Sequence, residues 1–379
     1  MPQNVTLIAT AAMGLEAIVA REVRALGYED VQVENGRVVF TAPVSAIPRT
    51  NLWLRTADRV KLVVGRFKAY SFDELFEKTK ALPWETFITE EGEFPVIGKS
   101  VKSKLYSVPD CQSIVKKAIV ERLKQKYGVA SILKESGDDF YRVEVAIHKD
   151  EALLTLDTSG SGLHKRGYRV GQGEAPLKET LAAALIQVTN WHPDQPFVDP
   201  FCGSGTIAIE AALIGQNIAP GFNREFASEN WGFIEQNHWD QAFEEAEDFA
   251  QYDQPLTITG SDISHDMIKI AENNAVEAGL GDLVQWKQMQ VKDLRPRQEN
   301  GYLVSNPPYG ERMGERPEVE EMYRDLGMIM RDYPSWSTYI LTSHEKFELL
   351  YGEKATKKRK LFNGFIKTDY YQYFGKHVK

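Results

Sequence analysis

The stretch that most constrains the fold runs from Phe197 to Ala212. It holds Phe197-Val198, then Asp199-Pro200-Phe201-Cys202-Gly203-Ser204-Gly205-Thr206, then Ile207-Ala208-Ile209-Glu210-Ala211-Ala212. An apolar pair, a glycine-bearing turn and an apolar run read as strand, turn and helix, the repeating unit of a parallel α/β sheet. Glycines at 203 and 205 let the backbone approach a ligand with no Cβ in the way. The helix start presents free N–H groups. No Gly-Lys-Ser/Thr follows, so the turn is not a P-loop. The spacing Gly203-x-Gly205-x-x-Ala208 is a permitted variant of the dinucleotide fingerprint, but this loop opens with an Asp. An acidic group at a strand end suits a cationic ligand.

A second motif, Asn306-Pro307-Pro308-Tyr309, follows the apolar run Tyr302-Leu303-Val304. The prolines end that strand, because neither can donate to a ladder and each restrains the residue before it. Asn306 and Tyr309 are therefore expected at the carboxyl end of a strand, where ligands bind in open α/β sheets. The chemistry that fits is methyl transfer to a planar amine, whose lone pair is delocalised into its ring. Two acceptors on its hydrogens draw the nitrogen toward tetrahedral geometry. The Asn306 side-chain oxygen and the Pro307 carbonyl are the candidate acceptors, and Tyr309 offers a stacking face. A turn after a core strand is the plainer reading of the tetrapeptide taken alone. With the acidic glycine turn beside it, a methyl donor that is itself a cation, S-adenosylmethionine, becomes the candidate cofactor.

The pair of motifs, DPFCGSGT and then NPPYG, resembles the amino-methylating class I S-adenosylmethionine-dependent methyltransferases. With what precedes it, the chain is similar to the THUMP-domain RNA methyltransferases, and within them to the bacterial group that methylates guanine N2 in 23S ribosomal RNA. That group was earlier described as adenine-specific DNA methylase on the strength of NPPY. The resemblance implies a Rossmann-like, seven-stranded α/β methyltransferase domain over 165–379. An α+β ferredoxin-like unit (1–54) and a THUMP RNA-binding domain (55–164) precede it. It assigns Asn306, Pro307, Pro308 and Tyr309 to catalysis. Cofactor contacts fall on Asp199, Pro200, Phe201, Cys202, Gly203, Gly205, Thr206, Asp262, Ile263, Gln288 and Met289, with Asn306 shared.

The charge pattern bears on the partner. The net charge of -9 argues against nucleic acid, but it is unevenly spread: residues 99–126 carry eight Lys/Arg against two Asp/Glu, 354–379 eight against one, and 221–255 one against nine. Such asymmetry is more informative than the total. Lys99, Lys102 and Lys104, leading into a helix with Lys116 and Lys117, form the candidate phosphate-binding face. A solvated helix face is the plainer alternative. The expected partner is 23S ribosomal RNA or its precursor, with no obligate protein partner and no metal. Two cysteines, Cys111 and Cys202, make neither a disulfide framework nor a zinc site. No run approaches a membrane span, and the first residues lack the features of a signal peptide, so a cytoplasmic location is expected.

Along the chain, alternation and turn signals predict strands at 4–9, 31–33, 37–40, 59–67, 94–98, 140–148 and 152–157, with helices near 14–26, 43–54, 72–81 and 113–127. Residues 162–169, rich in basic and aromatic side chains, either touch RNA or lock domains together. A helix opens near Ala175 and runs to about 189. An acidic insertion, 217–254, separates the glycine turn from the next strand, 256–260. Asp262 follows that strand, in the place of the acidic residue that takes ribose hydroxyls, although 262 − 199 = 63 positions from Asp199 rather than ~20. As an alternative it caps the helix at 264–278. After the third strand, 283–287, Gln288 or Gln290 can accept from an adenine amine. A polar loop at 311–314, a helix at 323–333, a strand at 337–342 and a hairpin around Asn363-Gly364 close the sheet. The nearest competing activity is N6-adenine methylation of DNA or RNA; a non-catalytic RNA-binding protein is more distant.

Overall fold

The computed structural model describes residues 4–129, 139–171, 176–310 and 316–376, so the helix start expected at Ala175 and the polar loop at 311–314 lie outside the described residues. The chain divides into two compact units. One comprises Met1–Ala11, Val19–Leu163 and Glu225–Glu245; the other comprises Ala12–Ile18, His164–Arg224 and Ala246–Lys379.

In chain order the first elements are β1 (Asn4–Ala11), α1 (Glu16–Ala25), β2 (Val31–Glu34), β3 (Arg37–Pro43), α2 (Ala46–Trp53) and β4 (Ala57–Lys68). Then come α3 (Phe72–Lys80), β5 (Val96–Val101), α4 (Val108–Tyr127), β6 (Val143–His148) and β7 (Glu151–Asp157). Their strands form a single seven-stranded sheet, ordered β2-β3-β1-β4-β7-β6-β5. The two N-terminal regions read separately from sequence thus share one sheet. The reason is β4, which is long enough to pair with β1 along one edge and with β7 along the other. Helix α4 starts five residues earlier than its apolar period indicates. Pro109 stands in its first turn, where a missing N–H costs nothing and a fixed φ helps.

The acidic insertion belongs to this first unit through residues 225–245. Trp231 and Trp239 are both 1% exposed. Their indoles stack on Tyr141 and Phe226, with centroids 5.0 and 5.4 Å apart. Both indole N–H groups are satisfied, by the carbonyls of Phe140 and Ser228. Arg49 closes the packing with a forked pair of bonds to Glu245. Burying two aromatic side chains of 150–250 Å² each outweighs the continuity of the sequence. This segment, read from sequence within the 165–379 region, thus packs with the first unit.

The second unit continues with α5 (Glu179–Val188), β8 (Phe197–Asp199), α6 (Thr206–Gly215), α7 (Gln236–Phe249, its last turn only), β9 (Ile258–Asp262), α8 (His265–Glu277), β10 (Val284–Gln288) and β11 (Tyr302–Ser305). It ends with α9 (Arg316–Met330), β12 (Ser337–Thr342), α10 (Phe347–Tyr351), β13 (Lys357–Asn363) and β14 (Ile366–Tyr373). The sheet order is β10-β9-β8-β11-β12-β14-β13, and only β14 runs against the others. This is the expected seven-stranded, Rossmann-like sheet. Strands β8 and β11 are buried at every position, as central strands covered on both faces must be. Among the described residues, no helix is long and apolar enough to cross a membrane.

Candidate active site

Strand order reverses between β8 and β11, and both motifs sit at the carboxyl ends of those two neighbours. That is the topological switch point, where helices leave the sheet in opposite directions and open a crevice. A cavity of about 670 Å³ lies there, a volume in the range of small-ligand sites.

Asp199 ends β8 and is 1% exposed. Its Oδ1 accepts from the Phe201 amide at 3.2 Å and from the Ser305 hydroxyl in a short bond. Among the described residues none donates to Oδ2. Burial pushes this carboxyl up to about 7, against the pull of those two donors, and the nearby charge of Asp262 adds to the rise. Ser305 is the last residue of β11, so one hydrogen bond ties the acidic motif to the strand that carries Asn306.

The two glycines of the turn do different things. Gly203, at φ +51°, lines the cavity, and a Cβ built on it meets only the Met267 Cε at 4.0 Å. Its amide donates to Asp262 Oδ2 at 3.1 Å. Gly205, at φ +86°, does not line the cavity; a Cβ there falls 2.6 Å from the Trp286 ring and 2.9 Å from Ala271 Cβ. Its assignment as a ligand contact is corrected to a packing role, since α6 can approach Trp286 only without a side chain.

Two residues that motif reading missed hold the turn from behind. Arg169 donates to Glu179 (2.7 Å), to the hydroxyls of Ser204 (3.3 Å) and Thr206 (3.0 Å), and to the Leu177 carbonyl (3.0 Å). Asn274, 1% exposed on α8, accepts from the amides of Val170 and Gly171 and donates to the carbonyls of Gly171 and Ser204. Arg166 is also buried, against Glu210 at 3.3 Å, and the Tyr168 hydroxyl donates to the same carboxylate. Arg166, Tyr168 and Arg169 are therefore committed to ion pairs and hydrogen bonds inside this unit. The only sequence signal was the density of cations in 164–169.

Asp262 accepts from Gly203 with one oxygen and from the Ser264 amide with the other. Ser264, not Asp262, caps α8, through the Met267 amide. Asp199, Pro200, Phe201, Cys202, Thr206, Asp262, Ile263 and Met289 all line the cavity. Gln288 does not; it is exposed and donates to the Ile263 carbonyl, while Gln290 lines the cavity. Gln288 is the last residue of β10, whereas Gln290 lies beyond the end of the strand.

On the other wall stand Asn306, Pro307, Pro308 and Tyr309. The Tyr309 hydroxyl donates to Asn306 Oδ1 at 2.6 Å and accepts from Asn363 Nδ2 at 3.2 Å. In this relay the phenol takes the Asn363 amide hydrogen and passes its own to the Asn306 oxygen. An amide oxygen has two lone pairs, so one remains for a ligand amine. The Tyr323 hydroxyl bonds the Pro308 carbonyl at 2.6 Å and shares a hydrogen bond with Thr342. The diproline turn is thereby fixed from beneath.

In the first unit, the five lysines read as one face are not equivalent. Lys116 donates to the Phe94 carbonyl at 2.9 Å, with its Nζ 3.6 Å from the Phe94 ring centroid. It is a packing residue rather than an open cation. Lys99 belongs to β5, not to a loop, and its Nζ lies 3.0 Å from Glu144. Lys102, Lys104 and Lys117 are exposed, the last two beside the rings of Tyr70 and Phe76.

Comparison with known families adds what geometry leaves open. Residues 166–372 match the RMKL-like methyltransferase domain, 69–157 the THUMP domain and 6–61 the RlmL ferredoxin-like domain. The chain belongs to the RMKL-like methyltransferase family. This methyltransferase is 66% identical over 371 residues to YpsC of Bacillus subtilis (strain 168), which carries a provisional RNA methyltransferase name; the match covers 98% of this chain and 96% of that protein. It is 34% identical over 362 residues to the ribosomal RNA large subunit methyltransferase K/L of Psychromonas ingrahamii, covering 94% of this chain and 48% of the relative. The chain thus spans about half the length of that K/L protein. Among solved structures, SMU.472 in complex with SAH has 48% identity and a TM-score of 0.95, with full coverage of both chains. A protein from Listeria monocytogenes described as a predicted N6-adenine-specific DNA methylase has 60% identity and a TM-score of 0.95, covering 98% of this chain and 97% of its own.

Proposed function

We propose that this methyltransferase transfers a methyl group from S-adenosylmethionine to the exocyclic N2 amine of a guanine in 23S ribosomal RNA. The observation that carries the reading is the Asn306 amide oxygen, held at the cavity wall by Tyr309 and one hydrogen-bonded step, through Ser305, from buried Asp199. The THUMP match supports RNA over DNA, and the relatives named ribosomal RNA large subunit methyltransferase K/L support large-subunit ribosomal RNA as the substrate.

The cofactor fits the residues present. Asp199 carries an acceptor with no described donor in a setting that disfavours its charge, and a cationic ligand relieves that cost. Gly203 leaves space for close approach, and Asp262, Phe201 and Met289 line the same side. When bound, S-adenosylmethionine supplies an electrophilic methyl on its sulfonium. The chain's own part is to orient and polarise the amine. Asn306 Oδ1 and the Pro307 carbonyl accept its two N–H groups, which localises the lone pair. The Tyr309 ring stacks the base, and its hydroxyl holds the Asn306 amide with oxygen forward. Acceptors aimed at an amine that gains positive charge stabilise the transition state more than the ground state.

The test is methyl incorporation into ribosomal RNA from a deletion strain, followed by nucleoside analysis. N2-methylguanosine in 23S RNA is the expected product. N6-methyladenosine replaces the guanine reading with the adenine one, which uses the same acceptors.

A further inference from the structure

The hairpin β13–β14 reaches the rim of the cavity. Asn363 and Ile366 are paired across the hairpin, share a face, and both line the cavity. Between them lies a two-residue loop, Gly364-Phe365. Gly364 has φ +62°, the conformation such a tight loop asks of its first residue. Nothing in the loop geometry asks for an aromatic second residue; polar and small residues fill these positions more readily. Yet Phe365 is 104% exposed, more than any other large apolar side chain described. The fold therefore gains nothing from its ring. The same hairpin carries Lys357, Arg359, Lys360 and Lys367, besides Lys358, whose Nζ lies 3.0 Å from Glu348, against one acidic residue, Asp369. On the pocket side, Asn363 is bonded to the Tyr309 hydroxyl, so the tip is tied to the residue that holds Asn306.

We propose that Phe365 stacks on the nucleotide flanking the target base in an unpaired RNA segment, while the hairpin's cations hold the adjacent phosphates. An exposed aromatic among lysines at a pocket rim is the pairing that single-stranded nucleic acid recognition uses. The ring takes a base face whatever its identity, and the cations take the backbone. Charge complementarity selects a polyanion, and the apolar ring selects one with exposed bases. The flanking nucleotide is favoured over the target because Phe365 stands outside the cavity, whereas Tyr309 lines it. This rests on the RNA reading above and extends it to how the strand is held.

The experiment compares wild type with Phe365→Ala, Phe365→Leu and Phe365→Trp on ribosomal RNA from the deletion strain. It measures direct RNA affinity over a salt series as well as methyl-transfer kinetics. Phe365→Ala should weaken RNA binding and raise the RNA KM by roughly tenfold. It should leave kcat at saturating RNA, cofactor affinity and thermal stability unchanged. The salt slope should not move, because a phenyl ring releases no counterions. Phe365→Trp should restore affinity and Phe365→Leu should not. Wild-type affinity in Phe365→Ala, or full rescue by Leu, overturns the stacking role. A wild-type protein that binds RNA but methylates none removes the proposed function while the affinity loss still supports Phe365. A wild-type protein that binds no RNA overturns both.

Discussion

The ionisation of Asp199 makes the cofactor assignment quantitative. Its carboxyl stands at about 7 in the free protein because it is buried at the end of β8. A cation bound against Oδ2 favours the ionised form and lowers that value. Below it the proton must leave before the ligand can be held, so affinity rises with pH and then levels off. With a free-protein value near 7, about one tenth of the sites are ionised at pH 6 and about nine tenths at pH 8, which makes affinity ~10-fold weaker at the lower pH, or ~1.4 kcal/mol. The ligand's own amino group titrates near ~8, which also moves the raw affinity. Asp199→Asn lacks the titrating carboxyl but meets the same ligand. The ratio of wild-type to variant affinity therefore isolates Asp199. Calorimetry at both pH values, in buffers of different ionisation enthalpy, measures that ratio and the proton released. The ratio should grow about tenfold from pH 6 to pH 8, with close to one proton released per ligand at pH 6. A flat ratio with no proton released refutes the idea that Asp199 holds the cationic ligand. The sign for stability is the reverse: without ligand, the raised value means that the contribution of Asp199 is full below about 3.9 and is lost as pH rises to about 7.

Three other outcomes follow from the same geometry. Asn306→Ala should lower kcat by ~10²–10³ in a methyl-transfer assay and leave cofactor affinity nearly unchanged, because its contact strengthens as the amine pyramidalises. Both Gly203→Ala and Gly205→Ala incur left-handed strain, but Gly205→Ala also sets a Cβ 2.6 Å from Trp286, so it should destabilise the second unit more, by over ~1 kcal/mol in denaturant unfolding, while Gly203→Ala should in addition weaken cofactor binding by calorimetry. Replacing Lys102, Lys104 and Lys117 with Gln should flatten the salt dependence of RNA binding in a filter assay, whereas Lys116→Gln should lower the unfolding temperature instead, through loss of its Phe94 contacts.

Much of the site was legible because its chemistry is carried by contiguous residues. Asp199 to Thr206 and Asn306 to Tyr309 each follow an apolar run that must be a strand. Glycine and proline place the chain break at the strand end whatever surrounds it. Those are local rules of φ, ψ and missing donors, and they need no tertiary information. The order of elements likewise determined the class of sheet, since strands alternating with helices admit few topologies.

Only the tertiary structure decided which of these residues meet the cavity. Gly203 and Gly205 look alike in the sequence; the position of Trp286, some 80 residues on, turns one to the ligand and the other to the core. Arg169, Asn274 and Asn363 carry no motif, because each reaches at least one partner 35 or more residues away. Lys116 reads as a wet-face cation until the Phe94 ring and carbonyl are beside it. The acidic insertion was assigned by chain continuity, yet residues 225–245 pack in the first unit through Trp231 and Trp239. The physical reason is common to all of these. Local propensity is a property of neighbouring residues, whereas burial, ion pairing and ring contact sum over surfaces that the chain assembles only when folded.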